Sequence, residues 1–554
     1  MKYTALCFAA VAAVILCGCA KEVDEKSVTK EGASIIATAT CPGALNATKV
    51  AYTDTYSEAE EIADISAAWE KGDSFTAIEI NGDVITTVKF STDGSGASAD
   101  FKSNGAVPAD DNTTWVAVNG DVSVKDGKFV CKYEGQNGGL DNIGKYDFTV
   151  AEAKGSSPVF DFAKGKRLSY VMRLLLPAGI KYIEFNTGVT NEGGWTISSL
   201  DKINGTLSST ERDAVKTIEL ASVSSAKSPV YIAVPAIDCM ESSENRYAGI
   251  IVTILSSDKK SSQGKTTSPN LTDKGGSVGT FDMSNLELLA RPLASEAIKL
   301  KDVRYDNNTY NLGSWAPFNL GGKPNAISDS NIAGGLFAWG ETEPRTSFSK
   351  ATYKLFDGEN YHTQKGNKIT STAAGEEPYI EYWDVNIGYK GNSGPGTYYD
   401  IGGTKYDAAR VKWGSEWRLP SNEIAVNVLG DGQNNARLAR AKDTEKKLVF
   451  EEYAPGTYKN SEGYTSTAFG AVVIKANGAE MVLYKCPYTD DGALMDNGKQ
   501  GRYLTSTTDY GTTTTPVYWN KCLEMRLDHL PNDLYLNNKS SIWDGRSVRA
   551  VLNE

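Results

Sequence analysis

The sequence predicts a mainly β chain, with two tandem β-sandwiches followed by an α+β domain and an exported leader in front of them. Three observations predict it. At 554 residues the chain is long enough for three or four domains. Between Ile35 and Leu289 it is a succession of short, alternating apolar runs punctuated by turn dipeptides. After Leu293 the composition shifts: residues 296–554 hold seven of the ten tryptophans and both histidines, His362 and His529, among many Gly, Asn and Tyr residues. The expected segments are a leader over 1–18, a tether over 19–35, sandwiches over 36–165 and 166–295, and the last domain over 296–554.

Met1-Lys2, an apolar run from Ala5 to Leu16 and then Leu16-Cys17-Gly18-Cys19 read as a signal peptide. The run is shorter than the roughly 18 residues a permanent membrane-spanning helix needs. Leu16-Cys17-Gly18-Cys19 resembles the lipobox of bacterial lipoproteins, which implies cleavage after Gly18 and a diacylglycerol thioether on Cys19. Thioether-linked and N-linked chains together give stable anchoring, each buried methylene contributing about 0.8 kcal/mol. The expected partner at this end is the membrane. The acidic stretch Lys21 to Lys26 reads as a solvated tether. It is also similar to the surface-export signal of lipoproteins displayed on the outer face of the outer membrane, so the expected location is there, facing the exterior.

In the first sandwich, Phe75 to Ile80, Asn81-Gly82 and Asp83 to Phe90 make the strongest hairpin signal, because Asn-Gly adopts the positive φ values of a type I′ turn. Trp115 to Val118, Asn119-Gly120, Val122 to Val124, Asp126-Gly127 and Phe129 to Cys131 continue the meander. In the second, Leu168 to Leu176 is an apolar strand stopped by Pro177. Strands are expected at 180–185, 216–223, 230–234, 249–255 and 280–289, and the Lys/Ser-rich run Ser256 to Gly276 as a solvated loop. Ala47 to Ala51 and Trp69-Glu70-Lys71-Gly72-Asp73-Ser74-Phe75 resemble segments of fimbrillin-like proteins, the pilin and pilus-associated lipoproteins. That family polymerises after a cut, often at arginine, that removes a first strand so that a neighbour's strand can fill the groove. Here the first arginine is Arg167 and the matching position is Lys49, which argues against that route.

In the last block, helices are expected over 405–411 and after Pro420, where Ser421 can cap, and an Asn477-Gly478 hairpin between Val472–Ile474 and Met481–Leu483. Asn311 to Ala316, Phe337 to Pro344, Tyr406 to Pro420 and Gly545 to Arg549 resemble successive motifs of the Fibrobacter succinogenes major paralogous domain. Trp417-Arg418-Leu419-Pro420 and the closing Arg-Ser-Val-Arg are also similar to the formylglycine-generating and C-type-lectin-like superfamily, which implies an α+β fold with a small twisted sheet. The superfamily's sites do not carry over. Glu343-Pro344-Arg345 and Tyr382-Trp383-Asp384 depart from the calcium-lectin motifs, and no oxidase cysteine pair is apparent at Cys486 and Cys522.

The net charge of −12 and pI near 5.1, without a Lys/Arg cluster, argue against nucleic acid as a partner. No catalytic residues, metal ligands or cofactor are expected, and the Glu341/Glu343 pair reads as solvated or capping carboxylates. Cys486 and Cys522 are candidates for a disulfide or for isolated buried thiols. Trp383, Tyr382, Tyr398 and Tyr399 are the loop aromatics that fit ligand contact, whereas Trp339, Trp413 and Trp417 read as core. The expected function is a non-enzymatic surface lipoprotein whose sandwiches present the last domain for adhesion to a glycan or host protein. The alternatives are an accessory, anchor or tip subunit that meets other fimbrial subunits in a pilus, and a formylglycine-type enzyme.

Overall fold

The computed structural model describes residues 34–40, 53–57, 62–66, 68–81, 84–106, 111–120, 122–186, 195–205, 215–235, 250–267, 278–305, 307–348, 369–370, 379–380, 389–390, 398–429, 448–490, 493–495, 498–508, 521–527, 534–541 and 543–553. The leader, Cys19, Tyr382, Trp383, His362 and His529 lie outside them. The described chain is mainly β, as expected.

The first sandwich is built on an eight-stranded sheet in the order Val159–Asp161, Ser34–Thr40, Ser98–Ala106, Val84–Thr92, Ser74–Asn81, Thr114–Asn119, Thr149–Lys154 and Lys166–Arg167. Strand alternation sends Phe75 and Trp115 to one face and Ile78, Val116 and Val118 to the other. The first face closes over an aromatic core in which Phe75 lies 5.0 Å from Phe90 and 4.9 Å from Phe101. The Trp-x-x-Gly-Asp-x-Phe segment is the entrance to that core. Trp69 is buried and its Nε1 donates to Ala39 O at 3.0 Å, Gly72 takes φ +92, and Asp73 Oδ2 accepts from Glu70 N at 2.8 Å before Phe75 enters the sheet.

The turn signals divide by register. Asp126-Gly127 joins Val122–Lys125 to Lys128–Cys131 with φ +51 and +71, and Asn477-Gly478 joins Ala471–Ala476 to Ala479–Tyr484 with φ +51 and +80, both as expected of type I′ turns. At the first hairpin Asn81 pairs with Val84 and so ends its strand, and Gly82 and Asp83 lie outside the described residues. Asn119-Gly120 is not a hairpin turn at all: the chain there crosses from the eight-stranded sheet into another. Asn119 Nδ2 instead donates to Asp147 O at 3.0 Å, and its Oδ1 accepts from Thr149 N.

The second sandwich pairs Ser228–Pro235, Ser169–Leu176 and Val278–Asp282 in one sheet with Val215–Glu219, Ile180–Asn186, Ile250–Ser256, Ser261–Thr267 and Leu289–Ala290 in the other. Met172, Leu174, Ile183, Ile232 and Ile254 fill its core. Two sheets run across residue 165: Ile62–Ser66 pairs with Val278–Asp282, and Phe129 pairs with Trp195. Beneath the second junction Phe129, Phe148, Val171, Trp195 and Tyr231 share one core, so the two sandwiches bury a continuous interior.

The expected loop at 256–276 is in part a strand. Ser261–Thr267 pairs with Ile250–Ser256 after a tight turn at which Lys259 takes φ +58. Its Ser262, Gln263 and Gly264 are buried because the last block supplies the polar partners that water would otherwise provide. That block contains a four-stranded sheet of Ile298–Lys299, Ser314–Trp315, Val551–Leu552 and Trp417–Arg418, and three-stranded sheets of 448–484 and 501–541. Of its helices, α3 (Ala408–Trp413) starts three residues later than expected because Asp407 is its N-cap, and α4 (Asn422–Leu429) follows Pro420 as expected; α2 (Asp329–Ala333) precedes them in the same block, and α1 (Leu140–Ile143) belongs to the first sandwich.

Candidate functional site

A six-residue helix is unstable by itself, since nucleation costs more than so few hydrogen bonds return, and α3 persists through what satisfies its ends. At the N-terminus Asp407 Oδ1 accepts from Ala409 N at 2.9 Å and Arg410 N at 3.1 Å. Its Oδ2 accepts from Gly403 N at 2.9 Å and Leu419 N at 2.8 Å. Burial pushes this carboxyl up to about 6, against the opposing pull of those backbone donors. At the C-terminus the carbonyls that a helix leaves without partners are met from the second sandwich. Thr253 Oγ1 donates to Val411 O at 2.9 Å, Ser262 Oγ to Lys412 O at 2.7 Å and Arg291 Nε to Trp413 O at 2.5 Å.

The same seam continues on both sides. Trp413 Nε1 donates to Ala290 O at 2.9 Å and Trp417 Nε1 to Pro292 O at 3.0 Å. Ser415 N donates to Glu184 at 2.7 Å, and Arg291 pairs with Glu416. Lys412, whose side chain is 1% exposed, places Nζ 3.0 Å from Gly264 O and 2.6 Å from Glu343 Oε1. Burial pulls its ammonium down and Glu343 partly restores it. Arg345 holds the other carboxylate of the Glu341/Glu343 pair, with NH2 2.7 Å from Glu341 Oε2. Both carboxylates are therefore held in ion pairs, and Glu341 is buried where a solvated or capping carboxylate was expected.

The four motifs of the last block converge in its interior. Trp339, Trp413 and Trp417 are core, as expected, with Trp413 and Trp417 edge to face at 5.8 Å. Arg546 backbone pairs with Phe337, and Arg549 donates from Nε to Asn319 Oδ1 at 2.9 Å and from NH1 to Ala316 O at 3.0 Å. Asn319 Nδ2 in turn donates to Ile332 O at 3.1 Å and lies 3.7 Å from Cys486 Sγ. Cys486 is a free, buried thiol, which corrects the disulfide alternative. Register gives the reason: Cys486 lies beside Gly501, at one end of the strand Gly501–Thr508, while Cys522 pairs with Thr508 at the other. Seven residues of strand separate them by roughly 20 Å, far beyond disulfide reach. Burial pushes the Cys486 thiol up to about 12, so it is protonated and poorly nucleophilic near neutrality.

Of the ligand candidates, Tyr398 and Tyr399 form a short strand paired with Tyr389–Lys390, described in backbone only, while Tyr382 and Trp383 lie outside the described residues. Another aromatic group was not singled out by sequence. On the outer face of the sheet Leu448–Tyr453, Ala471–Ala476 and Ala479–Tyr484, the loop after Tyr453 folds Tyr458 back to 5.1 Å from Tyr453 and 6.0 Å from Tyr484. Tyr464 packs into the same cluster from the other side of a turn fixed by Asn460. Each of the three partly exposed rings is tethered through its hydroxyl: Tyr453 to Glu451 at 2.8 Å, Tyr464 to Asp329 at 3.0 Å and Tyr458 to Glu480 at 3.5 Å. The usable sequence signal is three tyrosines in a Gly/Asn/Ser-rich loop of residues 453–464, the same signal that drew attention to 382–399.

No family model matches the chain, and no curated protein matches it. Among solved structures it is similar to a candidate cell adhesion protein from Bacteroides uniformis, at 14% identity and TM-score 0.27, covering 46% of this chain and 94% of that one. It is similar also to the tip fimbrial protein Mfa3 from Porphyromonas gingivalis, at 9% identity and TM-score 0.22, covering 46% and 96%. The shaft pilin spaA from Lactobacillus rhamnosus GG follows at 7% identity and TM-score 0.18, covering 47% and 97%. All three are adhesion or pilus proteins by description, and the likeness is too distant to assign a role to this chain.

Proposed function

We propose that this protein is a non-enzymatic surface lipoprotein, held in the outer membrane through lipid on Cys19, whose paired sandwiches present the last block, a Fibrobacter succinogenes-type major paralogous domain, for adhesion to a glycan or a host protein. The observation that carries this reading is the seam at α3. Buried hydrogen bonds from Thr253, Ser262 and Arg291 fix the last block on the second sandwich, as a presented head requires if its position is to be set by its support. The enzyme alternative needs a reactive thiol, and Cys486 is a buried one pushed up to about 12.

The test uses residues 20–554, the chain without its leader and without the lipid-bearing cysteine, on glycan and host-protein arrays, because residues 296–554 alone would lack the partners of α3. Binding to members of either array is expected, and silence on both would remove the adhesion role. Labelled fatty acid should enter the wild type and not a Cys19→Ala variant, and protease shaving of intact cells should release the head. The pilus-subunit alternative is favoured by one observation: Ser34–Thr40 is an interior strand, between Ser98–Ala106 and Val159–Asp161, with Ala37 and Ala39 fully buried. A cut near Lys49 would free that strand. This reading predicts co-purification with fimbriae and an N-terminus close to Lys49.

A further inference from the structure

We infer that the tyrosine face of the sheet Leu448–Tyr453, Ala471–Ala476 and Ala479–Tyr484 is a binding site for neutral glycan, built from Tyr453, Tyr458 and Tyr464 with Glu451, Glu480 and Asp329 as acceptors. It deepens the adhesive reading above and rests on it.

The opposite face of the same sheet, with Val472, Ile474, Met481 and Leu483, is sealed in the interior. The outer face is covered at its centre, where Ala471, Val473 and Tyr484 are buried and Ile332 and Phe469 pack, and open at its rim: Tyr453, Tyr458 and Tyr464 are partly exposed, and the side chains of Glu451 and Glu480 are 36% and 48% exposed. Aromatic rings offer flat apolar area to the C–H faces of a sugar at low entropic cost. Here the rings are fixed in advance, because each phenol donates its only proton to a carboxylate and so has one preferred orientation. The donors being spent inwards, what the face offers outwards is acceptors: the remaining lone pairs of three carboxylates and three phenolic oxygens. A ligand that complements it must bring apolar faces and many hydroxyl donors on one rigid body, which is the chemistry of a sugar ring.

Charge selects among glycans and against peptides. Among the described residues Lys475 is the cation ion-paired to this group, with Nζ 2.7 Å from Glu451 Oε1 and 3.8 Å from Glu480 Oε2. Glu451, Glu480, Asp329 and the exposed Glu462 against Lys475 and the exposed Lys459 leave a net negative rim, which repels sialylated, sulfated or uronic-acid chains. A basic peptide would meet the Lys475 ammonium at the carboxylates it needs, and its chain lacks the rigid array of hydroxyls that the remaining lone pairs accept. An uncharged oligosaccharide meets neither obstacle.

The experiment presents residues 20–554 to an array of neutral and anionic glycans together with a panel of basic peptides, and measures any glycan bound by calorimetry. Neutral glycans are expected to bind. The Tyr458→Ala/Tyr464→Ala variant should lose about tenfold or more in affinity, whereas Tyr458→Phe, which keeps the ring, should stay within about threefold. If the double variant unfolds, Glu480→Gln on the exposed rim serves instead, with a loss of at least about threefold expected at unchanged melting temperature. Failure to bind any neutral glycan, affinity unmoved by these substitutions, or capture of basic peptides or anionic glycans alone would each overturn the site. Binding of a host protein, or of glycan elsewhere on the chain, would sink this inference and leave the adhesive function standing. Silence on every surface would remove both.

Discussion

Asp407 meets four backbone N–H groups with two oxygens, and no other side chain type of its size could do so. An ordinary N-cap loss costs about 1 kcal/mol. Here Gly403 and Leu419 lose their acceptor as well, inside the protein, and Asp407→Ala should cost about 2–4 kcal/mol in urea unfolding. A loss below about 1 kcal/mol would mean that the four bonds are replaced by others. The sequence marked this stretch as motif and helix but not Asp407 as its cap, because which donors reach a carboxylate depends on Gly403 and Leu419 folding back onto it.

Buried acids set a pH dependence whose sign can be worked out. Burial raises Cys131, Cys486 and Tyr503, with Cys486 pushed up to about 12 from an ordinary 9.0. As pH climbs past about 9 the unfolded chain releases these protons while the folded one keeps them, so stability falls with rising pH. Lys412 and Arg549, pulled down by burial, act in the opposite direction, while Tyr453, Tyr458, Tyr464 and Tyr484 are raised and add to the fall. Melting temperature should therefore decline between pH 9 and 11, and a profile that is flat or rising there would contradict the burial of these groups. Labelling of Cys131 and Cys486 at pH 8 should be slow in the native protein and fast in denaturant.

Among the elements, the strand Ser261–Thr267 shows how sequence and structure part company. Lys, Ser and Gln residues around it signal a solvated loop, and in a single sandwich they would be one. The strand is buried because α3 lies against it: a Cβ on Gly264 would sit 1.8 Å from Val411 O. Gly264→Ala should therefore force helix and strand apart and destabilise the protein by more than about 3 kcal/mol. Gly478→Ala, at φ +80 with open space around it, should cost only about 1 kcal/mol of backbone strain. Unfolding curves of the two variants test the contrast, and equal losses would refute the close approach. The hairpins at Asp126-Gly127 and Asn477-Gly478 were legible because their turns are local. Asn119-Gly120 looks the same in sequence and is not a hairpin, because Thr114–Asn119 finds its two neighbours in distant strands.

For the molecule as a whole, the first core boundary falls inside a shared interior and the second inside a hydrogen-bonded seam. Residues 20–554 should accordingly unfold in one calorimetric transition, since the two sandwiches share an interior and the second supplies the C-terminal partners of α3. Lys412→Ala removes the links to Gly264 and Glu343 and should separate that transition into two. Two resolved transitions in the wild type would show instead that the head is independently stable.

Local pattern alone carries the expectation of a leader and of lipid on Cys19, and it carries the β character, the helix after Pro420, and the burial of Trp339, Trp413 and Trp417. Alternation, turn dipeptides and caps act within a few residues, so they can be read in order along the chain. Long-range pairing places Cys486 and Cys522 at opposite ends of a strand, turns a polar run into a buried strand, and brings Tyr453, Tyr458, Tyr464 and Tyr484 together on one face. Each of those depends on which segments share a sheet, and strand pairing is fixed by the burial of whole faces at once, not by any one residue's neighbours in sequence.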